Sequence, residues 1–230
     1  MTMPSRLVSA GLIIAAASMA TPAHADLVLS ELVVELQPGK AVREDVEVWN
    51  NGKERTYVAV EPAEVLNPGT PTEKREQEAD PEKRGLLISP MRMILEPGQR
   101  KLLRVATIGA AASRERDYRV VVKPVVGQIE AKQSGLKLLI GYEMLVLVRP
   151  AAPVQKISAS RANGGLTFRN EGNVSVEIFD GRQCDQAHKN CSELPGKRLY
   201  PGAEWTVKLP SPSPAEYSVK GPTGTDRKTY

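Results

Sequence analysis

Residues 135–150, GLKLLIGYEMLVLVRP, limit the fold of this chain more than any other stretch. Leu136, Leu138 and Ile140 recur at every second position, and Tyr142 continues their face. Side chains two apart share one side of an extended strand, so this is a β signal, and Lys137 falls on the opposite side. Arg149-Pro150 ends the run. A strand of roughly 13 residues is about twice the usual length, so one domain needs only part of it. The remainder reads as an exposed edge. Alternation alone leaves two destinations open for Leu136, Leu138 and Ile140: the core of their own domain, or a groove in another protein.

Residues 1–25 read as an export signal rather than as part of the fold. Arg6 supplies a positive start, LVSAGLIIAAASMA an apolar core, and Ala23-His24-Ala25 a small-x-small cleavage site before Asp26. As a membrane anchor the apolar core, about 14 residues, falls short of the roughly 20 that span a bilayer. No later stretch reads as a span, so the expected product is soluble and exported. Its roughly 205 residues suit two domains of about 100 each.

Charge and cysteine usage agree with export. The formal net charge is +4, with acidic and basic residues interspersed. That is an ordinary solvated surface and not the basic stripe of a nucleic-acid binder. The two cysteines, Cys184 and Cys191, are expected to form a disulfide in an oxidising compartment. A metal site would recruit His188 between them, but a fourth ligand for tetrahedral zinc has no candidate, so no metal is expected.

From Asp26 onward the pattern is β. Leu27 to Leu36 reads as a first strand, Ala41 to Trp49 as a second and Thr56 to Val65 as a third, interrupted by Pro62. Asn50-Asn51-Gly52-Lys53 is a turn signal between the last two. Residues 67–84, NPGTPTEKREQEADPEKR, have no apolar face to bury and read as a solvated connector. Gly85 to Val105 and Tyr118 to Val122 supply further short alternating strands. About seven strands in about 125 residues, with no competing helical period, predict an immunoglobulin-type antiparallel sandwich over residues 26–150. After a hinge at Pro150 to Pro153, residues 151–230 read as a smaller β domain clipped by the cysteines and ending in a polar tail. The predicted class is therefore all-β, with two immunoglobulin-like β-sandwich domains in tandem.

The first domain carries Trp49-Asn50, Pro90-Met91-Arg92, Leu95-Glu96-Pro97-Gly98-Gln99, Arg104, Tyr118-Arg119 and the alternating strand closing in Arg149-Pro150. Together these motifs resemble the periplasmic chaperones of the chaperone–usher pilus pathway, the PapD-like family. The likeness covers roughly residues 27–150; the second half is similar only in size, β character and a disulfide. It implies a periplasmic chaperone whose partners are pilin-like subunits and an outer-membrane usher, with no cofactor. In that family the last strand of the first domain completes a subunit that lacks one strand. The implied donor side chains here are Leu136, Leu138 and Ile140. Burying three aliphatic side chains yields on the order of 4–9 kcal/mol gross, much of it offset by ordering and association. Arg149 matches a position that makes interdomain ion pairs, with Glu115 or Asp117 as the partners available here.

One departure stands out. Family members usually anchor the client's terminal carboxylate with an arginine on the first strand and a lysine late in the closing strand. The corresponding positions here are Val33 or Val34, and Leu145. Neither side chain supplies a charge-assisted hydrogen bond. Lys137, Lys123 and Arg119 are the alternative carboxylate contacts, each also readable as solvated surface charge. An enzyme is not expected, because no nucleophile–base pair and no phosphate loop is present. The competing reading is an exported β-sandwich adhesion or ligand-binding module, and self-association through the exposed edge is a further expectation.

Overall fold

The computed structural model describes residues 26–125, 139–185 and 189–230. The expected export signal, Leu136, Lys137, Leu138 and His188 lie outside those residues. In chain order the first part comprises β1 (Leu27–Leu29), β2 (Val33–Leu36), β3 (Arg43–Asn50), β4 (Thr56–Leu66), β5 (Lys74–Glu76), α1 (Pro81–Arg84), β6 (Leu86–Ser89), β7 (Arg92–Leu95), β8 (Arg100–Thr107), β9 (Arg116–Val125) and β10 (Tyr142–Val148). One sheet has the order β1-β3-β8-β6. The other runs β2-β10-β9-β4-β5, with β7 also on β4. The expected first strand is thus two strands: β1 pairs with β3 in one sheet, and β2 crosses to pair in parallel with β10 in the other.

Pro62 does not interrupt β4, and the ladder explains why. Val60 donates its N–H to Met91 O, so even-numbered residues of β4 aim their amides at the flank shared by β7 and β5. Pairing with β7 ends at Ala59 and pairing with β5 begins at Glu64. Pro62, which has no N–H, sits in the gap.

The stretch 67–84 is more ordered than its composition predicts. It holds β5 and the helical turn α1, capped by Asp80, whose side chain accepts from Glu82 N, and closed by Gly85 at φ 71°. Arg84 is buried; its guanidinium donates to Leu86 O and Glu78 O, while Tyr118 Oη donates to Arg84 O. A buried cation serving backbone carbonyls replaces the apolar face that the sequence lacks here.

The second part comprises β11 (Ile157–Ala162), β12 (Gly165–Asn170), β13 (Val176–Cys184), β14 (Cys191–Leu194), β15 (Lys197–Leu199), β16 (Glu204–Lys208), β17 (Ala215–Gly221) and β18 (Gly224–Thr229). Its sheets have the orders β11-β12-β16 and β14-β13-β17-β18, with β15 also on β13. Cys184 and Cys191 face each other across the β13–β14 hairpin and form the disulfide. The residues read as a polar tail form β18, and Tyr230 packs edge-on to Phe168 and Tyr217. Polar side chains on an exposed edge strand carry no apolar alternation, which hid this strand from the sequence.

Two cores result. One lies between the sheets of the first part and includes Val46, Val48, Leu86, Leu103, Tyr118, Val120, Met144 and Val146. The other is built on Phe168, Ile178, Tyr217 and Val219, and it also takes Leu145 and Leu147 of β10. Alternate residues of β10 therefore enter different cores. That accounts for its unbroken apolar run, the mark of a strand covered on both faces.

Candidate functional site

β10 is flanked by β9 over its whole length, from Tyr142↔Val122 to Val148↔Arg116. On its other flank β2 covers only Leu145 to Val148. Leu145 N donates to Leu32 O at 2.8 Å and Arg149 N to Leu36 O at 2.7 Å. Odd-numbered residues thus turn their N–H and C=O toward the β2 side. At Glu143 the same groups point to a flank where, among the described residues, no strand lies. An edge with free donors and acceptors is a template for another strand.

The described strand begins at Tyr142, later than the sequence predicts. Ile140 and Leu139 precede it, and Ile140 is 52% exposed, outside both cores. Gly141 lets the chain hug β9: a Cβ there would come within 2.9 Å of Lys123 Cβ and 3.1 Å of Val122 O. Of the three donor candidates, Ile140 is the one described.

The face of this sheet opposite the first core looks toward the second part. Leu145 stands directly beside Val33 on one side and Arg119 on the other. Leu145 is buried and Val33 exposed, while Val34, the other candidate for the first-strand position, is buried in the first core. Arg119 lies one strand further along the same row. Its guanidinium donates weakly to Tyr200 Oη at 3.5 Å, and among the described residues no carboxylate pairs with it. Burial pushes the Tyr200 hydroxyl pKa up, with Arg119 opposing. Lys123 is committed to Glu61 at 2.9 Å. Arg75 of β5 reaches across the sheet to Glu143, with one of its two contacts at 3.2 Å. That pair was not anticipated, because its partners are 68 residues apart.

Arg149 lies at the junction of the two parts, 2% exposed. It ion-pairs with Glu115, reaches Glu35 at 3.0 Å, and donates to Ser175 O at 3.0 Å and Ser175 Oγ at 3.2 Å. Ser175 N in turn donates to Glu115 Oε2 at 3.0 Å. Arg114 donates to Pro201 O, and Asn173 Nδ2 to Ser113 O at 2.9 Å, so three consecutive residues, Ser113, Arg114 and Glu115, are tied to the second part. Among the described residues no cluster of His, Cys, Asp and Glu could hold a metal ion, and no helix is long and apolar enough to cross a membrane.

Comparison with known proteins agrees with this geometry. The pattern of the family described as pili and flagellar-assembly chaperone, PapD N-terminal domain, matches residues 26–153. The chain is 28% identical to a CS1 fimbrial subunit of Escherichia coli over 196 residues, 80% of each chain. It is 27% identical to a CFA/I fimbrial subunit of Escherichia coli over 190 residues, 78% of each. Among solved structures, the class 5 fimbriae chaperone CfaA superposes with a TM-score of 0.66 at 20% identity, covering 88% of this chain and 98% of that one. The SafB chaperone of Salmonella enterica, solved with the SafA pilin, gives 0.63 at 18%, covering 91% and 98%. These likenesses show that the fold of both parts is shared. With its first part matched from end to end, the chain belongs to the pili and flagellar-assembly chaperone family.

Proposed function

We propose that this pilus assembly chaperone works by lending the open stretch of β10, with residues 136–140 before it, to a pilin subunit that lacks one strand. The observation that carries this reading is the one-sided pairing of β10: Glu143 directs its backbone groups at a flank where, among the described residues, no strand lies. Client main chain would pair there, and the alternate side chains Leu136, Leu138 and Ile140 would enter the client's groove. Strand addition of this kind is already known for chaperone–pilin pairs. Arg119 is the cation best placed to meet the client's terminal carboxylate, because Lys123 is already paired and Leu145 and Val33 are apolar. Arg149 and the disulfide keep structural roles. The family works in the periplasm, and the signal-like residues 1–25 favour that address here. Delivery to an outer-membrane usher completes the scheme, without catalysis or cofactor.

The test is co-expression with pilin subunits of the source organism. Leu138→Glu with Ile140→Glu should leave the chaperone folded and abolish recovery of soluble pilin. Unchanged recovery would remove the donor role. Arg119→Gln should weaken capture without affecting the thermal unfolding of free chaperone.

A further inference from the structure

Asp117, on β9, is 3% exposed and sits at the junction of the two parts, beside Glu115. Its register neighbours are apolar, Leu147 on β10 and Val65 on β4. Glu115 Oε1 and Asp117 Oδ1 are both buried without a hydrogen-bond partner. The one buried cation at hand, Arg149, is already engaged by Glu115 and Glu35. The remaining groups that face the pair are Arg198 of β15, which is held by Glu177 at 3.4 Å, Tyr200, whose hydroxyl is neutral, and Arg119. Two ionised carboxylates cannot lie side by side out of water against a single shared arginine; such a pair keeps one proton.

We propose that Asp117 carries a proton beside Glu115 at the domain junction, and that losing it as the medium turns alkaline weakens the attachment of the two domains. The proton would let one carboxyl donate to the other, satisfying an oxygen that otherwise has no partner. Burial, then the adjacent Glu115 charge, pushes the Asp117 carboxyl up to about 8, against Arg149 and Arg198, which lower it. In the unfolded chain the same carboxyl ionises near its ordinary value of 3.8. The folded state alone then binds the proton between these limits. Its stabilising effect is complete below about pH 4, falls as pH rises, and is gone above about pH 8.

The experiment compares thermal and urea unfolding of wild type and Asp117→Asn from pH 5 to 9.5. The amide keeps the neutral form at every pH. The variant's advantage should grow with pH, approaching tenfold in the unfolding constant per unit, and level off above about pH 8. A difference that is the same at all pH values would overturn the proposal. Carbon-13 carboxyl titration of the wild-type protein gives a second readout if the variant does not fold. The Asp117 resonance should titrate above pH 7; Asp117 ionised at pH 6 would sink the idea.

Discussion

Along β10, Leu145 to Val148 have a strand on each flank, and Leu145 to Leu147 are buried; Tyr142 to Met144 have β9 on one flank and no described strand on the other. In the proposed reading, one continuous strand does two jobs. Its far half is the seam of the molecule, with Val146 in one core and Leu145 and Leu147 in the other. On the open flank of its near half, no strand pairs with it among the described residues. A lendable strand has to be rigid, and rigidity comes from the half that is not lent.

This contrast can be broken by mutation. The largest effect is expected at the junction: Arg149→Ala leaves Glu115 buried and uncompensated, and should cost about 3–5 kcal/mol in urea unfolding. Leu147→Ala opens a cavity in the second core and should cost about 3 kcal/mol by the same measurement. Replacing both Cys184 and Cys191 by serine removes a short covalent loop in the second part, away from the open flank of β10. It should cost about 2 kcal/mol, read as a lower Tm, with no effect on pilin capture. At the open half, Ile140→Glu should change stability by less than about 0.5 kcal/mol, because a half-exposed side chain leaves no cavity. Capture of pilin should nonetheless fall. A large loss of stability at Ile140 would mean that this half is built into the fold after all.

The first domain was legible because its strands alternate and its turns carry Asn-Gly and Pro-Gly pairs. The disulfide followed from export and cysteine number. The adjacency of Val33 and Leu145 was not legible, because a parallel pairing of strands far apart in the chain leaves no local signal. Other features were hidden by non-local pairing. No local signal tells that the first strand changes sheets after Leu29, or that Pro62 falls between two partners of β4. Arg84 looks like any arginine in a charged stretch until Tyr118 and two carbonyls surround it. At the site, Arg75 and Glu143 meet only because β5 folds back along β4. β18 escaped because polar edge strands lack the alternation that identifies half-buried ones.

The central claim is that β10 is finished on one stretch and unfinished on the next, and residue-resolved amide hydrogen exchange in the free protein tests it most directly. Leu145 and Leu147 amides should be protected close to the level of global unfolding, and Gly141 and Glu143 amides should exchange with little protection. Glu143 protected as strongly as Leu147 would contradict the account.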